Sequence, residues 1–273
     1  MEETMKVTRK IAAAAAALLL AASLAACGND AGAGDKIAIG IKFDQPGLGQ
    51  KVGDGYQGFD VEVAKYVAKE LGYDESNIEW KEAPSAQREN LIQGGQVKLI
   101  FATYSITDAR KEKVSFAGPY FVAGQDLLVK SDATIAGPQD LDGKKLCSVT
   151  GSTSADKVKK EVPGVDLQQF DTYSKCVEAL ANGSIDAVTT DNVILAGFAA
   201  QDAYKGKLKV VGAPFSEERY GVGLKKGDTE LCGKVNTAIE KMVSSGEWAK
   251  AIEKTVGPSG FKAPAEPKVD ACS

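Results

Sequence analysis

Leu99-Ile100-Phe101-Ala102 is an unbroken apolar run, and Thr103-Tyr104-Ser105-Ile106-Thr107-Asp108-Ala109-Arg110 follows it directly. A short apolar run of this kind predicts a fully buried strand. The patterns before it alternate between strand and helix: a strand at Ile37–Ile41, a helix with apolar residues Phe59, Val63, Val67 and Leu71 that stops at Gly72, a strand at 78–80, and a short helix at 90–92 that stops at Gly94-Gly95. This order predicts an α/β unit with a mainly parallel sheet and helices on both faces.

A second set of alternating elements begins near Gly124. Its strands are predicted at 126–129, 145–149, 167–170, 185–188 and 208–211, and its helices at 155–160, 173–180 and 193–200. A strand at 220–224 then has no helix before it in its own set, and two helices follow at 230–244 and 248–254. The chain therefore predicts two α/β units, with its last part set apart from the second unit.

The composition excludes several classes of function. The 273 residues include 33 Lys+Arg, 37 Asp+Glu, five Cys and no His. Without His, neither a Ser-His-Asp or Cys-His nucleophile nor a His-ligated zinc or haem is possible. No Cys-x-x-Cys is present, which argues against thiol–disulfide catalysis and against a Cys₄ metal site. We expect no metal and no cofactor. The net charge of −4 and the scattered basic residues argue against a nucleic-acid partner.

The N-terminal segment is typical of an export signal. Basic residues at Lys6, Arg9 and Lys10 precede an apolar run over 11–26, which is short of the about 20 residues that a spanning helix needs. Leu24-Ala25-Ala26-Cys27 resembles the lipobox of bacterial lipoproteins. The resemblance implies that residues 1–26 are removed, that Cys27 carries a diacylglyceryl group at the outer face of the cell membrane, and that 27–35 is a tether. An uncleaved anchor and an ordinary secretory cleavage are the alternatives.

The polar stretch after the buried strand is the first candidate for a binding site. Thr107 can cap a helix that begins there, and Arg110 then lies at the carboxyl end of a parallel strand, where open α/β sheets bind ligands. A planar guanidinium suits a carboxylate, because it donates two parallel hydrogen bonds. A surface position beside Lys111 and Lys113 is an equally good interpretation of the spacing.

Two further segments follow strands of the second unit. Thr150-Gly151-Ser152-Thr153-Ser154 leads from a strand into a helix, whose positive end favours an anion, but it lacks the Gly-Lys-Ser/Thr of a P-loop. Asp191 ends a strand, so its carboxylate can pair with an ammonium group or cap the next helix. Position alone does not choose between these two roles.

Seven segments in order resemble the periplasmic-type binding proteins for polar amino acids of bacterial ABC transporters. They are residues 58–61, 102–111, 116–120, 140–144, 150–153, 186–188 and 220–222. Phe43-Asp44-Gln45-Pro46-Gly47 and Ser85-Ala86-Gln87-Arg88 carry a narrower resemblance to the glutamate-binding lipoproteins of Gram-positive uptake systems. Lys98 departs from the Asp usual in that family, and we expect it to lie outside the pocket.

The resemblance implies a type II periplasmic-binding-protein fold with two α/β lobes and two hinge strands. Lobe 1 would comprise residues 36–122 and 217–273, and lobe 2 residues 123–216. The expected function is capture of an amino acid between the lobes and delivery to an ABC permease with its ATPase, by a monomer that is not an enzyme. A dehydratase on the same fold, or a sensor that feeds no transporter, is the alternative.

The resemblance also implies roles for individual residues. Arg110 would bind the ligand α-carboxylate with Ser105, Ser152 and Thr153, while Asp191 and Thr103 would accept from the α-ammonium. An acidic side chain would meet Arg88, Ser85 and Lys42, and Tyr173 would line the pocket. Two basic groups favour L-glutamate or aspartate over glutamine, because a neutral amide leaves a buried cation unpaired.

The cysteines divide into one lipid attachment site and four others. Four cysteines allow three pairings, and the sequence does not choose among them. We favour Cys147–Cys176 and Cys232–Cys272, since each closes a loop within one expected lobe and exported proteins retain disulfides. Buried free thiols are the alternative.

Overall fold

The computed structural model describes residues 36–272. The predicted signal segment 1–26, the predicted lipid attachment at Cys27 and the predicted tether 27–35 lie outside the described residues. The strands are β1 Ile37–Ile41, β2 Asp44–Gln45, β3 Gly49–Val52, β4 Gly55–Gln57, β5 Ile78–Glu82, β6 Leu99–Phe101, β7 Ser115–Ala123, β8 Gln125–Lys130, β9 Lys145–Val149, β10 Asp166–Phe170, β11 Ala187–Asp191, β12 Leu208–Val210 and β13 Glu218–Leu224.

The helices follow the apolar spacing of the sequence. They are α1 Phe59–Glu70, α2 Arg88–Gln93, α3 Asp108–Lys111, α4 Thr153–Glu161, α5 Tyr173–Asn182, α6 Asn192–Ala199, α7 Thr229–Ser244 and α8 Glu247–Thr255, with 3₁₀ turns at Glu75–Asn77, Ser85–Gln87, Pro138–Asp140 and Gly257–Ser259. Within the described residues, no helix is both long enough and apolar enough to cross a membrane.

Two five-stranded sheets build the two lobes. The first has the order β5-β1-β6-β13-β7 and the second β10-β9-β11-β8-β12. In each, the first three strands are parallel and the other two pairings are antiparallel. The sheets are thus mixed: the predicted parallel part is present, and the antiparallel strands are those through which the chain changes sheets.

The chain passes between the sheets twice, at Gly124 and between β12 and β13. The two crossings touch, since a Cβ atom on Gly124 would lie 2.7 Å from Pro214 Cβ and 2.9 Å from the Ser216 carbonyl oxygen. A side chain at 124 would therefore push the crossings apart. From here, lobe 1 denotes the elements of the first sheet and lobe 2 those of the second.

A small antiparallel sheet, β2-β3-β4, extends from lobe 1 after β1. The sequence pattern does not predict it, because glycines at 47, 49, 53 and 55 remove the alternation that marks a strand.

Burial of apolar helix faces against the sheets forms the core. In α1, Phe59, Val63 and Val67 are fully buried, as their helical spacing predicts. The ring of Phe59 packs against those of Tyr120 and Trp248, at centroid distances of 6.2 and 5.9 Å.

Disulfide bonds link Cys147 to Cys176 and Cys232 to Cys272, the two pairs that the sequence analysis favours. The first joins β9 to α5, and the second ties the C-terminal segment to α7. A closed loop of about 30 residues restricts the unfolded chain by roughly 3.5 kcal/mol in the chain-entropy model.

Candidate ligand-binding site

A small cavity lies between the lobes, at the carboxyl ends of β6 and β11. Its lining comprises Ser85, Arg88, Thr103, Ser105, Arg110, Ser152, Thr153, Ser154, Tyr173, Thr190, Asp191 and Ile194. Every predicted site residue except Lys42 is among them. The sequence does not predict three of the lining residues, although each lies within three positions of a predicted one. They are Ser154, Thr190 and Ile194. Lys98 is exposed and does not line the cavity.

Arg110 is held by the first turn of α3. Thr107 caps this helix, and its Oγ1 accepts a hydrogen bond from Arg110 N at 3.3 Å. Arg110 Nη1 donates to the Ser105 carbonyl at 2.7 Å, and Nη2 donates to the Gly151 carbonyl of lobe 2 at 3.0 Å. The residue is 9% exposed, so the alternative of a surface arginine is not realised.

Arg88 is buried more deeply, at 2% exposure. Its Nη1 donates to the Ala102 carbonyl at 3.0 Å, and its guanidinium lies 4.1 Å from the ring centroid of Tyr104. Nε has no hydrogen-bond partner within residues 36–272. Burial, followed by repulsion from Arg110, lowers the pKa of Arg88 to about 10.

Lys42 lies behind the cavity wall and reaches it through Ser85. Its Nζ donates to Ser85 Oγ at 2.8 Å, and both side chains are buried. Burial, and then the positive charge of Arg88, lowers the pKa of Lys42 to about 7. Lys42 and Arg88 therefore place two costly buried cations beside one part of the cavity.

Thr103 has a left-handed backbone, with φ of 45°. Its N–H donates to Asp60 Oδ2 at 3.0 Å, and Tyr120 OH donates to the other carboxylate oxygen at 2.8 Å. The Thr103 hydroxyl donates either to the Ala102 carbonyl at 2.8 Å or to Gln45 Oε1 at 3.2 Å. Because its single proton is used within the protein in both cases, the hydroxyl oxygen can only accept from a ligand.

Asp191 is the last residue of β11 and is 3% exposed. Its Oδ2 accepts from Tyr220 OH at 2.5 Å, and Oδ1 has no partner among the described residues. It makes no side-chain cap on α6, so the capping alternative is not realised. Burial, and then the nearby Glu218 carboxylate, raises the pKa of Asp191 to about 7.

Glu218, which the sequence did not single out, lies beside this group at 2% exposure. It pairs with Lys157 and accepts hydrogen bonds from Thr153 Oγ1 at 3.2 Å and Ser216 Oγ at 2.8 Å. No local pattern identifies Glu218, because its partners come from α4 and the crossing before β13.

The turn before α4 is stabilised by Ser152, whose Oγ accepts from Ala155 N at 3.1 Å. The hydroxyl oxygens of Thr153 and Ser105 lie 3.4 Å apart across the lobes. With the Thr153 proton directed to Glu218, the first turn of α4 offers an anion its backbone N–H groups rather than that hydroxyl. Tyr173, at the start of α5, is buried in the wall.

The geometry defines a class of protein. Two mixed α/β lobes enclose a polar, charged cavity at their strand ends, as in receptors that trap a small solute. Residues 37–258 match the family model of bacterial extracellular solute-binding proteins, family 3. The chain belongs to this family.

Individual relatives agree with this assignment. The chain is 46% identical over 278 residues to the glutamate-binding protein GluB of Corynebacterium efficiens, with 94% of each chain covered. It is 47% identical over 255 residues to GluB of Corynebacterium glutamicum, with 86% of each covered. A solved ancestral arginine-binding protein bound to glutamine is 36% identical with a TM-score of 0.76, covering 82% of this chain and 99% of that one.

The family assignment settles the broad function. The protein is an extracytoplasmic solute-binding protein and not an enzyme, so the dehydratase alternative is set aside. Within residues 36–272, no group of three or more Cys, Asp or Glu side chains is placed to hold a metal ion.

Proposed function

We propose that the protein captures an acidic amino acid, L-glutamate, and delivers it to an ABC permease. One observation carries the choice of ligand: Arg88 and Lys42 are both buried, the charge of Arg88 acts on Lys42, and neither makes an ion pair within 4.0 Å with any described residue. A ligand carboxylate would neutralise this pair. Glutamine would leave it uncompensated, which is costly in a buried site.

The zwitterionic part of the ligand fits the rest of the cavity. Arg110, Ser105 and the Ser152-Thr153 turn would receive the α-carboxylate, because they provide a guanidinium and a helix N-terminus. Asp191 and Thr103 would receive the α-ammonium: Asp191 Oδ1 is unpartnered within the described structure, and the Thr103 hydroxyl oxygen is free to accept.

The acidic side chain would then extend toward Arg88 and Ser85, with Lys42 acting through Ser85. Tyr173 would close the wall. The names of the two GluB relatives favour glutamate, whereas the ancestral relative bound to glutamine makes glutamine the second candidate. Aspartate carries the same charges on a shorter side chain.

The two-lobed design supports a role in delivery. Lobe 1, residues 36–122 and 217–273, and lobe 2, residues 123–216, would close on the ligand by a population shift. The closed monomer would dock on a membrane permease driven by its ATPase. A diacylglyceryl group on Cys27, after removal of 1–26, would hold the protein at the outer face of the membrane, since two acyl chains anchor firmly.

Calorimetric titration with L-glutamate, L-aspartate, L-glutamine and L-asparagine tests the ligand. We expect the tightest binding for glutamate and weak or absent binding for both amides. Strong glutamine binding with a silent glutamate titration would overturn the assignment of an acidic ligand. Mass spectrometry of the membrane-extracted protein tests the lipid on Cys27.

A further inference from the structure

Lobe 1 and lobe 2 also meet away from the cavity, at the small sheet. Asp44 in β2 accepts hydrogen bonds at its Oδ2 from Ser174 N at 3.1 Å and from Ser174 Oγ at 3.3 Å. Ser174 lies in the first turn of α5, whose own N-cap residue, Thr172, makes no side-chain cap. A carboxylate of lobe 1 thus caps a helix of lobe 2.

The lobes also come close together at Pro46, two residues after Asp44. Gly197 is buried in α6 of lobe 2, and a Cβ atom there would lie 2.2 Å from the carbonyl oxygen of Pro46 in lobe 1. The three nearest atoms to that Cβ all belong to Pro46. Glycine weakens a helix interior relative to alanine. Its presence at position 197 is explained by Pro46 of the other lobe, which leaves no room for a side chain there.

We propose that these two places where the lobes meet form one interface, the closure contact. It is defined as Asp44–Ser174 together with Pro46–Gly197. This rests on the proposed function in one respect, that the lobes separate to admit and release the ligand. Neither Asp44 nor Gly197 lines the cavity. Both are positioning residues: they set the stability of the closed state, and through it the rate at which the ligand escapes.

The effect of the closure contact on binding acts through the population of the closed state. Apparent affinity falls in proportion to the fraction of protein that can reach the closed state. In the open state Gly197 no longer faces Pro46, so a methyl group there meets no backbone and strengthens α6. Closure reverses the effect, because the same methyl group collides with a carbonyl oxygen that belongs to the main chain.

Gly197→Ala in the purified full protein is the decisive variant. We expect it to weaken glutamate binding at least about tenfold, mainly through faster dissociation, while the ligand-free melting temperature stays equal or rises. Gly233→Ala is the matched control, because Gly233 lies inside α7 with no atom within 4 Å of the added Cβ. It should change affinity less than about twofold.

Asp44 needs a test that separates the helix cap from simple charge, since its carboxylate also raises the pKa of Lys42. Asp44→Ala should speed dissociation roughly fivefold by removing the cap. Asp44→Asn removes the same charge but keeps an acceptor oxygen. Its dissociation rate should therefore stay close to that of the unaltered protein. Asp54→Ala, on the exposed turn of the same small sheet, is the control.

Three results would overturn the closure contact. They are unchanged dissociation in Gly197→Ala, a fall in its ligand-free melting temperature, and equal losses in Asp44→Ala and Asp44→Asn. A different outcome concerns only the ligand: if the unaltered protein binds glutamine and not glutamate, the same variants are measured with glutamine, and the closure contact stands or falls on those rates.

Discussion

Arg110 and Arg88 lie against the same ring of Tyr104, at 5.0 and 4.1 Å from its centroid, yet their charges are compensated differently. Arg110 donates to carbonyl groups of both lobes and has Glu89 Oε1 at 3.6 Å from its Nε. Arg88 donates to backbone carbonyls of its own lobe and has no carboxylate within ion-pair distance among the described residues.

Lys42 extends this difference. Among the described residues, its Nζ donates a hydrogen bond to Ser85 Oγ alone, and the nearest carboxylates lie too far away for an ion pair. Asp60, which is close to both cations, uses its oxygens for Thr103 N and Tyr120 OH. The Arg110 end is therefore held by the protein, whereas the Arg88–Lys42 end gains most from an anionic ligand.

The comparison suggests separate roles in recognition. A preorganised arginine suits the α-carboxylate that every amino acid carries, and an under-compensated cation pair suits the group that distinguishes one amino acid from another. Variants at the two ends should then differ in selectivity as well as in affinity.

The largest effect is expected for Arg110→Ala. Removing the guanidinium leaves a buried carboxylate unpaired, which should weaken binding by about 3 kcal/mol or more. Glutamate and glutamine should lose equally, because they share the α-carboxylate. Calorimetry measures both, with Lys113→Ala as an exposed control on the same segment. An unchanged affinity would place the α-carboxylate elsewhere.

Lys42→Met should have a smaller and selective effect. We expect glutamate binding to weaken by about 2 kcal/mol, because a buried charge partner is lost, and glutamine binding to change much less. Ligand-free stability should rise, since a buried ammonium group without an ion-pair partner is replaced by an apolar side chain of similar shape.

Lys98→Met is the matched control for this prediction, because Lys98 is exposed and does not line the cavity. It should change neither selectivity nor melting temperature. Equal losses for glutamate and glutamine in Lys42→Met would mean that Lys42 supports the fold of the cavity and does not read the ligand side chain.

Much of this arrangement follows from local sequence. Thr107 and Ser152 cap their helices as the strand–helix boundaries indicate, and these caps fix Arg110 and the first turn of α4. Asp191 was open to two interpretations, because a strand end is also the place for an N-cap. In the structure Asp191 accepts a hydrogen bond from Tyr220, 29 positions away in sequence, and does not cap α6.

The elements that the sequence misses depend on distant partners. Glu218 is identified only when α4 and β13 are brought together, and the long strand β7 shows no clear alternation because it is buried on both faces.

The strand predicted at 185–188 is β11 at Ala187–Asp191, since Ser184 and Ile185 complete the end of α5 by donating to the Ala179 carbonyl. The glycine-rich segment β2–β4 provides the lobe 1 residues of the closure contact. Its sequence has no apolar alternation that would predict these strands.

The smallest effects concern pH, and they have opposite signs at the two ends. Asp191, with its pKa raised to about 7, must be ionised to receive an ammonium group, so binding releases a proton. Affinity should fall as pH decreases below about 7, by at most about tenfold per unit. Tyr220→Phe removes the hydrogen bond that lowers the pKa of Asp191, so it should move this limb to higher pH.

Lys42, with its pKa lowered to about 7, must be protonated to attract a side-chain carboxylate, so binding takes up a proton. Affinity for glutamate should fall as pH rises above about 7, again by at most about tenfold per unit. The profile of log affinity against pH is then bell-shaped for glutamate. Glutamine has no second carboxylate to favour a charged Lys42, so its profile should lack the basic limb. The glutamate profile of Lys42→Met should lack it as well.

Calorimetry in two buffers of different ionisation enthalpy gives the number and sign of the protons exchanged. A glutamate profile that stays flat between about pH 5.5 and 8.5 would mean that neither group changes charge when the ligand binds.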